Sequence, residues 1–325
     1  MKTAAPLISI IIPLYNLEQL IGKCIQSTRD QDLQPNEYEV IVVNDGSTDN
    51  SYEAALDAAQ GSSNVHIFTK ANEGLGSTRN YGTDRATGRY VMYLDADDYL
   101  TSNVLRGITE TMEREELDML SFDLAGVDEQ GQRLPLWCDG TTAANGLSIL
   151  SGKELLRRDC FLPMVWVSAY NREFLNRHAL RMAPIWHEDE EFTPRALYFA
   201  ARIRYYPLVV YNYLQRSDSF MQDYNSANYF EIVKGMKSLA DFAAHIEPSD
   251  TEGAQLIRWR VGHILFQTCK KSVLNRSGNT RQIIARCHQL GLFPLSFRQS
   301  KLRHKLLNFS PLLFNIYYLL HKQKA

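Results

Sequence analysis

Three aspartates stand where two apolar runs end. Asp45 closes Tyr38–Asn44, and Asp95 and Asp97 follow Arg89–Leu94 as an Asp-x-Asp pair. Carboxylates gathered in one place repel one another unless a cation or hydrogen-bond donors compensate. Mg²⁺ or Mn²⁺ prefers such hard oxygens and keeps coordination positions open for phosphates. An ion held there would neutralise a diphosphate leaving group. Asp-x-Asp alone is a common sequence, and Asp97 with Asp98 reads equally well as the cap of the next helix.

Two further segments carry chemistry. Asn72-Glu73-Gly74-Leu75-Gly76-Ser77-Thr78-Arg79-Asn80 is a glycine-rich loop entering a helix, whose backbone donors and Arg79 suit phosphate or sugar oxygens. It lacks the third glycine of a dinucleotide fingerprint and follows the third strand, not the first. The plainer reading is a tight strand-to-helix turn with Arg79 in solvent. Trp186-His187-Glu188-Asp189-Glu190-Glu191-Phe192 holds four acids in a row. Such a run is ordinarily a solvated helix start, since acids favour the N-terminal dipole. With Trp186 and Phe192 at its flanks, one acid pointing inward could serve as general base to an attacking hydroxyl. His187 reads as a neighbour, neither ligand nor base.

The elements that must position these residues alternate. Leu7–Pro13 is a continuous β-branched run, the pattern of a strand buried on both faces. Leu17–Gln31 has helical spacing, and Tyr38–Asn44 is a second buried strand. Ser47 or Thr48 is expected to cap a helix over Asp49–Gln60. Val65–Thr69, a helix over Gly76–Ala86 with Gly88 at its end, and Arg89–Leu94 complete a strand–helix series. Such a series folds as a parallel sheet with helices on both faces. From about residue 117 the pattern changes. Leu117–Val127 reads as a strand with Asp128-Glu129-Gln130-Gly131 as its turn. Ser151–Asp159, Arg172–His178 and Glu188–Ala200 read as helices. Ile203–Leu214 reads as a strand that Pro207 places at an edge or bends. From about 228 onward the patterning is helical.

The totals exclude several classes. The chain has 325 residues, 45% hydrophobic and 22% charged, with a formal net charge of -2. These are values for a globular protein, and no global charge draws it to nucleic acid. Cys24, Cys138, Cys160, Cys269 and Cys287 form no CxxC pair, which argues against a disulfide framework or thiolate zinc site and for a reducing compartment. The N-terminal apolar run is broken by Pro13, so it reads as a strand and not a signal peptide. No apolar stretch is long enough to span a bilayer.

In order and spacing these pieces resemble the family 2 inverting glycosyltransferases of the GT-A fold. The resemblance is carried by Ile8-Ser9-Ile10-Ile11-Ile12-Pro13-Leu14-Tyr15-Asn16, Val42-Val43-Asn44-Asp45-Gly46-Ser47-Thr48-Asp49, Asn72 to Asn80, Leu94-Asp95-Ala96-Asp97-Asp98, Glu188-Asp189-x-x-Phe192 and Tyr211-Asn212-Tyr213-x-x-Arg216-x-x-Ser219. It covers roughly residues 6 to 220. It implies an α/β GT-A architecture: a mainly parallel sheet with flanking helices and a Rossmann-like nucleotide-binding half at 1–116. An acceptor half at 117–225 would complete the domain, and 226–325 would be a helical extension. It further implies that Pro13, Tyr15 and Asp45 hold the base and ribose of a UDP-sugar, with Asn72 and Arg79 also on the donor. Asp95 would contact the nucleotide, Asp97 would bind Mn²⁺ or Mg²⁺, and Asp189 would be the base. Arg216 and Ser219 would touch the diphosphate or close a loop over it. The acceptor would be a saccharide or lipid-linked saccharide in cell-surface assembly, and the setting cytoplasmic.

Gln255-Leu256-Ile257-Arg258-Trp259 matches the Gln-x-x-Arg-Trp of processive members. It lies far from the base motif in a helical region, so single transfers are expected. The tail, Lys301–Lys324, admits two readings: helices packed on the domain, or a peripheral anchor on the inner face of the membrane with lysines and arginines on lipid headgroups. Pro311 suits the first turn of a separate helix. Rival functions fit less well. A sugar-nucleotide nucleotidyltransferase needs its glycine-rich loop after strand one, where Leu14-Tyr15-Asn16 stands. A dehydrogenase needs the third glycine. A non-catalytic nucleotide-binding protein needs neither Asp97 nor Asp189.

Overall fold

The computed structural model describes residues 5–136, 146–216, 226–275 and 279–320. Contacts divide the chain into two compact units, Met1–Pro184 with Ala196–Ser219 and Ile185–Arg195 with Phe220–Ala325.

The first unit is built on one nine-stranded sheet. β1 (Ile8–Leu14), β2 (Tyr38–Asn44), β3 (Val65–Thr69) and β4 (Tyr90–Tyr93) are parallel, in the order β3-β2-β1-β4. Every residue of β1, β2 and β4 is buried, which is why these strands read as mainly apolar runs, with Ser9, Glu39 and Asn44 as buried polar members. α1 (Ile21–Arg29), α2 (Ser51–Ala59) and α3 (Leu75–Arg85) are the connections of this series. Gly88 does not cap α3, whose C-cap is Ala86. It is required instead by close approach: a Cβ there would lie 2.6 Å from Ser9 Oγ. Its N–H donates to Ser9 Oγ and to Glu39 Oε1, at 2.9 and 3.1 Å.

Beyond β4 the sheet becomes mixed, so the mainly parallel expectation holds for its first four strands. β6 (Met119–Val127) and β8 (Ser168–Asn171) are antiparallel to each other, and β8 is antiparallel to β4. β6 turns at Asp128–Gly131, where Gly131 has φ +78, into the short β7 (Arg133–Leu134), the expected hairpin. β9 (Ile203–Leu214) runs parallel to β6 and is covered on its far side by β5 (Tyr99–Leu100). The register of β9 shifts between Tyr206 and Val209. Pro207, which has no N–H to give the ladder, therefore bends the strand, and the half beyond it pairs on both sides. α4 (Leu105–Arg114), α5 (Gly152–Arg158, capped by the Ser151 side chain) and α6 (Arg172–Arg177) complete the unit.

The second unit is helical. It takes in the start of α7 (Glu188–Phe199) and α8 (Ser226–Ile246), α9 (Thr251–Leu274), α10 (Thr280–Gln289), α11 (Leu302–Phe309) and α12 (Pro311–Leu320). Phe266 of α9 is an aromatic centre, with Phe297, His304, Phe314 and Tyr318 edge-on to it at 4.7–6.2 Å. Pro311 opens α12, so the tail is two helices as its sequence suggests. Gln255 bonds Ser296 and Arg258 pairs with Glu247, so the Gln-x-x-Arg-Trp match serves helix packing. No described helix is long and apolar enough to cross a membrane.

Candidate active site

The loops that carry the site leave the carboxyl ends of β1, β2, β3 and β4, where open parallel sheets bind ligands. Those after β1 and β2 are fastened together. Asn16, in the left-handed region at φ +51, donates its N–H to Ser47 Oγ and accepts the Thr48 N–H on Oδ1. Leu17 N–H donates to Ser51 Oγ at 2.7 Å, and Asn50 N–H to Glu18 at 2.9 Å. Ser47 and Thr48 therefore do not cap α2; its N-cap is Asn50, and the two residues clasp the neighbouring loop. Pro13 is buried at the end of β1, while Tyr15 stands 47% exposed beside the clasp, an accessible aromatic face.

Asp45 ends β2 and is 4% exposed. Its carboxylate accepts Lys70 Nζ at 2.5 Å, Glu73 N–H at 3.0 Å and Gly74 N–H at 2.9 Å. Burial lowers the Lys70 pKa, but hydrogen bonds from its ammonium to Asp45 and Glu73 outweigh that and raise it. Asp45 thus shapes the glycine-rich loop that leads into α3. Gly46, at φ +67, lets that loop approach: a Cβ there would meet the Asn72 nitrogen at 3.0 Å. Asn72 is exposed on the loop. Lys70 and its pairing were not among the residues singled out from sequence, and a lysine directly after the third strand, at its carboxyl end, was the available signal.

Arg79 is not in solvent. It is 2% exposed on α3 and pairs with Asp95. Asp97 pairs with Arg216 at 2.7 Å, across 119 residues of sequence. Burial, and secondarily the charge of Asp95, raises the Asp97 carboxyl above its usual range, against the lowering pull of Arg216. Asp98 is 2% exposed and accepts Tyr211 O–H at 2.7 Å and Leu214 N–H at 2.8 Å. Burial and its two acidic neighbours push its carboxyl well up. Asp98 therefore ties the acidic loop to β9 and caps no helix. Tyr211 was read only as part of a segment; its hydroxyl also accepts the Asp95 N–H at 3.1 Å. Trp166 stacks on the Tyr211 ring at 4.3 Å and is buried, as is Tyr170, so both are core.

The described residues contain no group of three or more His, Cys, Asp or Glu side chains that could hold a metal ion. The donor chemistry still fits one: Mg²⁺ is commonly held by one or two carboxylates plus substrate phosphates, and Asp95 and Asp97 are such a pair, with burial and then the charge of Asp95 raising the Asp97 carboxyl. The acid run is held in the second unit and is not a solvated face. Glu191 is 2% exposed and bonds Arg195 and Ser238; Glu190 pairs with Arg260 at 2.6 Å. Glu188 is buried as well, and Asp189 accepts the Glu190 N–H at 2.8 Å. His187, at φ +61 and packed on Trp186, has its pKa lowered to about 4 by burial, so its ring is neutral. Ser219 and Cys138 lie outside the described residues.

Residues 9–137 match the family described as Glycosyl transferase family 2. The chain is 32% identical over 229 residues to the uncharacterized glycosyltransferase EpsJ of Bacillus subtilis, a span of 67% of this chain and 63% of that protein. It is 31% identical over 188 residues to an uncharacterized glycosyltransferase of Haemophilus influenzae, covering 58% of this chain and 70% of the relative. The match thus takes in just under two thirds of EpsJ. Among solved structures, TarS 1–349 of S. aureus in complex with UDP-GlcNAc superimposes with a TM-score of 0.59 at 18% identity, over 88% of this chain and 93% of that one. At that identity the likeness is one of fold, a GT-A-like mixed sheet with a helical C-terminal region.

Proposed function

The chain belongs to glycosyl transferase family 2, and on that premise we propose that it moves a sugar from a nucleotide-sugar, a UDP-sugar, to an acceptor hydroxyl with inversion at the anomeric carbon. The observation that carries this reading is the gathering of the Asp45-shaped loop, Arg79, Asp95 and Asp97 at the carboxyl ends of parallel strands. Exposed Tyr15 offers a face to a uracil ring, with Pro13 behind it and Asp45 and Asn72 bordering the ribose. Arg79 orients Asp95 toward the nucleotide. A divalent ion, Mn²⁺ or Mg²⁺, on Asp97 supplies charge neutralisation at the diphosphate when bound. Arg216, paired with Asp97, would turn with Ser219 to the diphosphate or close a loop over it.

Asp189 takes the proton of the acceptor hydroxyl. That oxygen forms its bond to the anomeric carbon as the bond from this carbon to the diphosphate breaks, so UDP leaves and the configuration inverts. Residues 1–116 hold the donor and 117–225 the acceptor, with 226–325 as an extension. The acceptor is a saccharide or lipid-linked saccharide of cell-surface polymer assembly, and the setting is cytoplasmic. Thermal shift with a panel of nucleotides and nucleotide-sugars, with and without Mn²⁺, tests this, since a ligand of the folded state raises the melting temperature. A metal-dependent rise with UDP or one UDP-sugar, lost in Asp97→Ala, supports the reading. No rise with any nucleotide overturns it.

A further inference from the structure

Charge along the chain is divided in a way its total conceals. After Glu252 the sequence holds 13 lysines and arginines and no aspartate or glutamate, although the formal net charge of the whole is -2. The preceding 252 residues hold all 37 acids against 22 of the 35 basic residues. Such asymmetry between the ends of a chain points to an anionic partner for the basic end.

The same region carries an apolar face that is exposed among the described residues. α12 buries Phe314 and Tyr318, at 0% and 2% exposure, against the second unit. On the opposite side of the helix, Leu312, Leu313, Ile316, Leu319 and Leu320 are exposed by 42–76%. Their spacing, i, i+1, i+4, i+7 and i+8, is one continuous helical stripe. Phe309, 84% exposed, ends α11 three residues before Leu312, and Leu302, 65% exposed and two turns earlier, lies on the same side of α11 as Phe309. Lys305 is exposed between them, and Lys301 is exposed one turn earlier. A large apolar stripe bordered by cations is an expensive surface in water.

We propose that α11 and α12 lie in the headgroup region of an anionic lipid bilayer, with the Leu302–Phe309–Leu320 face inserted and Lys301 and Lys305 on the lipid phosphates. Nucleic acid would satisfy the cations and leave the leucines in water, whereas a lipid surface satisfies both. The amphipathic pair lies on the membrane and does not span it. The inference stands apart from the transfer reading; on that reading, it would bring the site to lipid-linked acceptors.

Flotation of the full chain with phosphatidylcholine vesicles, with and without phosphatidylglycerol, tests it. The expected result is binding to the anionic vesicles, reduced by salt. Replacing two cations, Lys301→Gln with Lys305→Gln, should weaken binding roughly thirtyfold, from about 1 kcal/mol per charge. Leu312→Ser with Ile316→Ser should weaken it as well, with melting temperature and circular dichroism unchanged because both residues are already exposed. Absence of binding to anionic vesicles overturns the proposal. So does equal binding by both variants, or a concentration-dependent dimer abolished by Leu312→Ser and Ile316→Ser in a chain that ignores vesicles.

Discussion

Tyr211 of β9 donates its hydroxyl hydrogen to Asp98 at 2.7 Å and with the same oxygen accepts the Asp95 N–H at 3.1 Å. One buried phenol thereby fixes both ends of the acidic loop. Tyr211→Phe keeps the ring stack on Trp166 but leaves a buried carboxylate oxygen and a backbone amide short of their partner. The cost should be about 1–3 kcal/mol of stability. Urea denaturation checks the stability, and the UDP-induced thermal shift should shrink with it.

On the proposed reading of Asp97 as the metal ligand, Arg216 sets the pH at which it takes a cation. Burial and Asp95 raise the Asp97 carboxyl, and Arg216 draws it back. Metal binding needs the carboxylate, so it fails as pH falls through that raised value. In Arg216→Gln the restraint is gone and the loss moves to higher pH. Titrating the Mn²⁺-dependent part of the UDP thermal shift in the two proteins reads this directly. An unmoved midpoint would remove the coupling.

Glu39 supplies acid sensitivity away from the site. Its burial alone would raise the carboxyl, but Ser9 O–H at 2.6 Å and the Thr87 and Gly88 donors hold it below the usual range. A folded pKa below the unfolded one stabilises above the unfolded value, and that contribution is lost as pH falls through the folded value. Glu39→Gln should lower stability at neutral pH by about 1–3 kcal/mol and flatten the acid limb. Melting temperatures across that pH range check both.

Gly46→Ala should separate loop geometry from stability. The left-handed backbone penalises a side chain by about 1–2 kcal/mol, and the new Cβ would press on the Asn72 nitrogen. The glycine-rich loop must then move off Asp45. Nucleotide affinity should fall further than the small change in melting temperature accounts for, as calorimetric titration with UDP would show.

Asp189→Asn should cut turnover by about 10²–10⁴-fold, the usual worth of a general base, while the donor-induced thermal shift persists. Normal turnover by this variant would take Asp189 out of the mechanism.

β1, β2 and β4 were legible because strands buried on both faces must be mainly apolar, and only Ser9, Glu39 and Asn44 interrupt Ile8–Leu14 and Tyr38–Asn44. β5 and β8 were not, since two and four residues cannot show a period, and each exists only through a partner distant in sequence. The site divides the same way. Asp45, Asp95 and Asp97 announce themselves by type and place. Lys70 and the phenol of Tyr211 become part of the site through pairing across 25 and 113 residues, which local pattern does not encode. Ser47 and Thr48 looked like helix caps because a hydroxyl before a helix normally is one; the Asn16 loop competes for them.

β9 is the last strand of the sheet to leave the ribosome, yet it brings Tyr211, and Arg216 follows just behind it. Chains fold as they emerge, N-terminal parts first. Over the 113 residues made between Asp98 and Tyr211 the acidic loop therefore waits without the phenol that anchors it, and without the guanidinium of Arg216 that offsets its charge. Nascent chains stalled short of residue 216 should form the parallel strands and still fail to retain nucleotide, so on the proposed reading the donor site is finished by its most distant contributor.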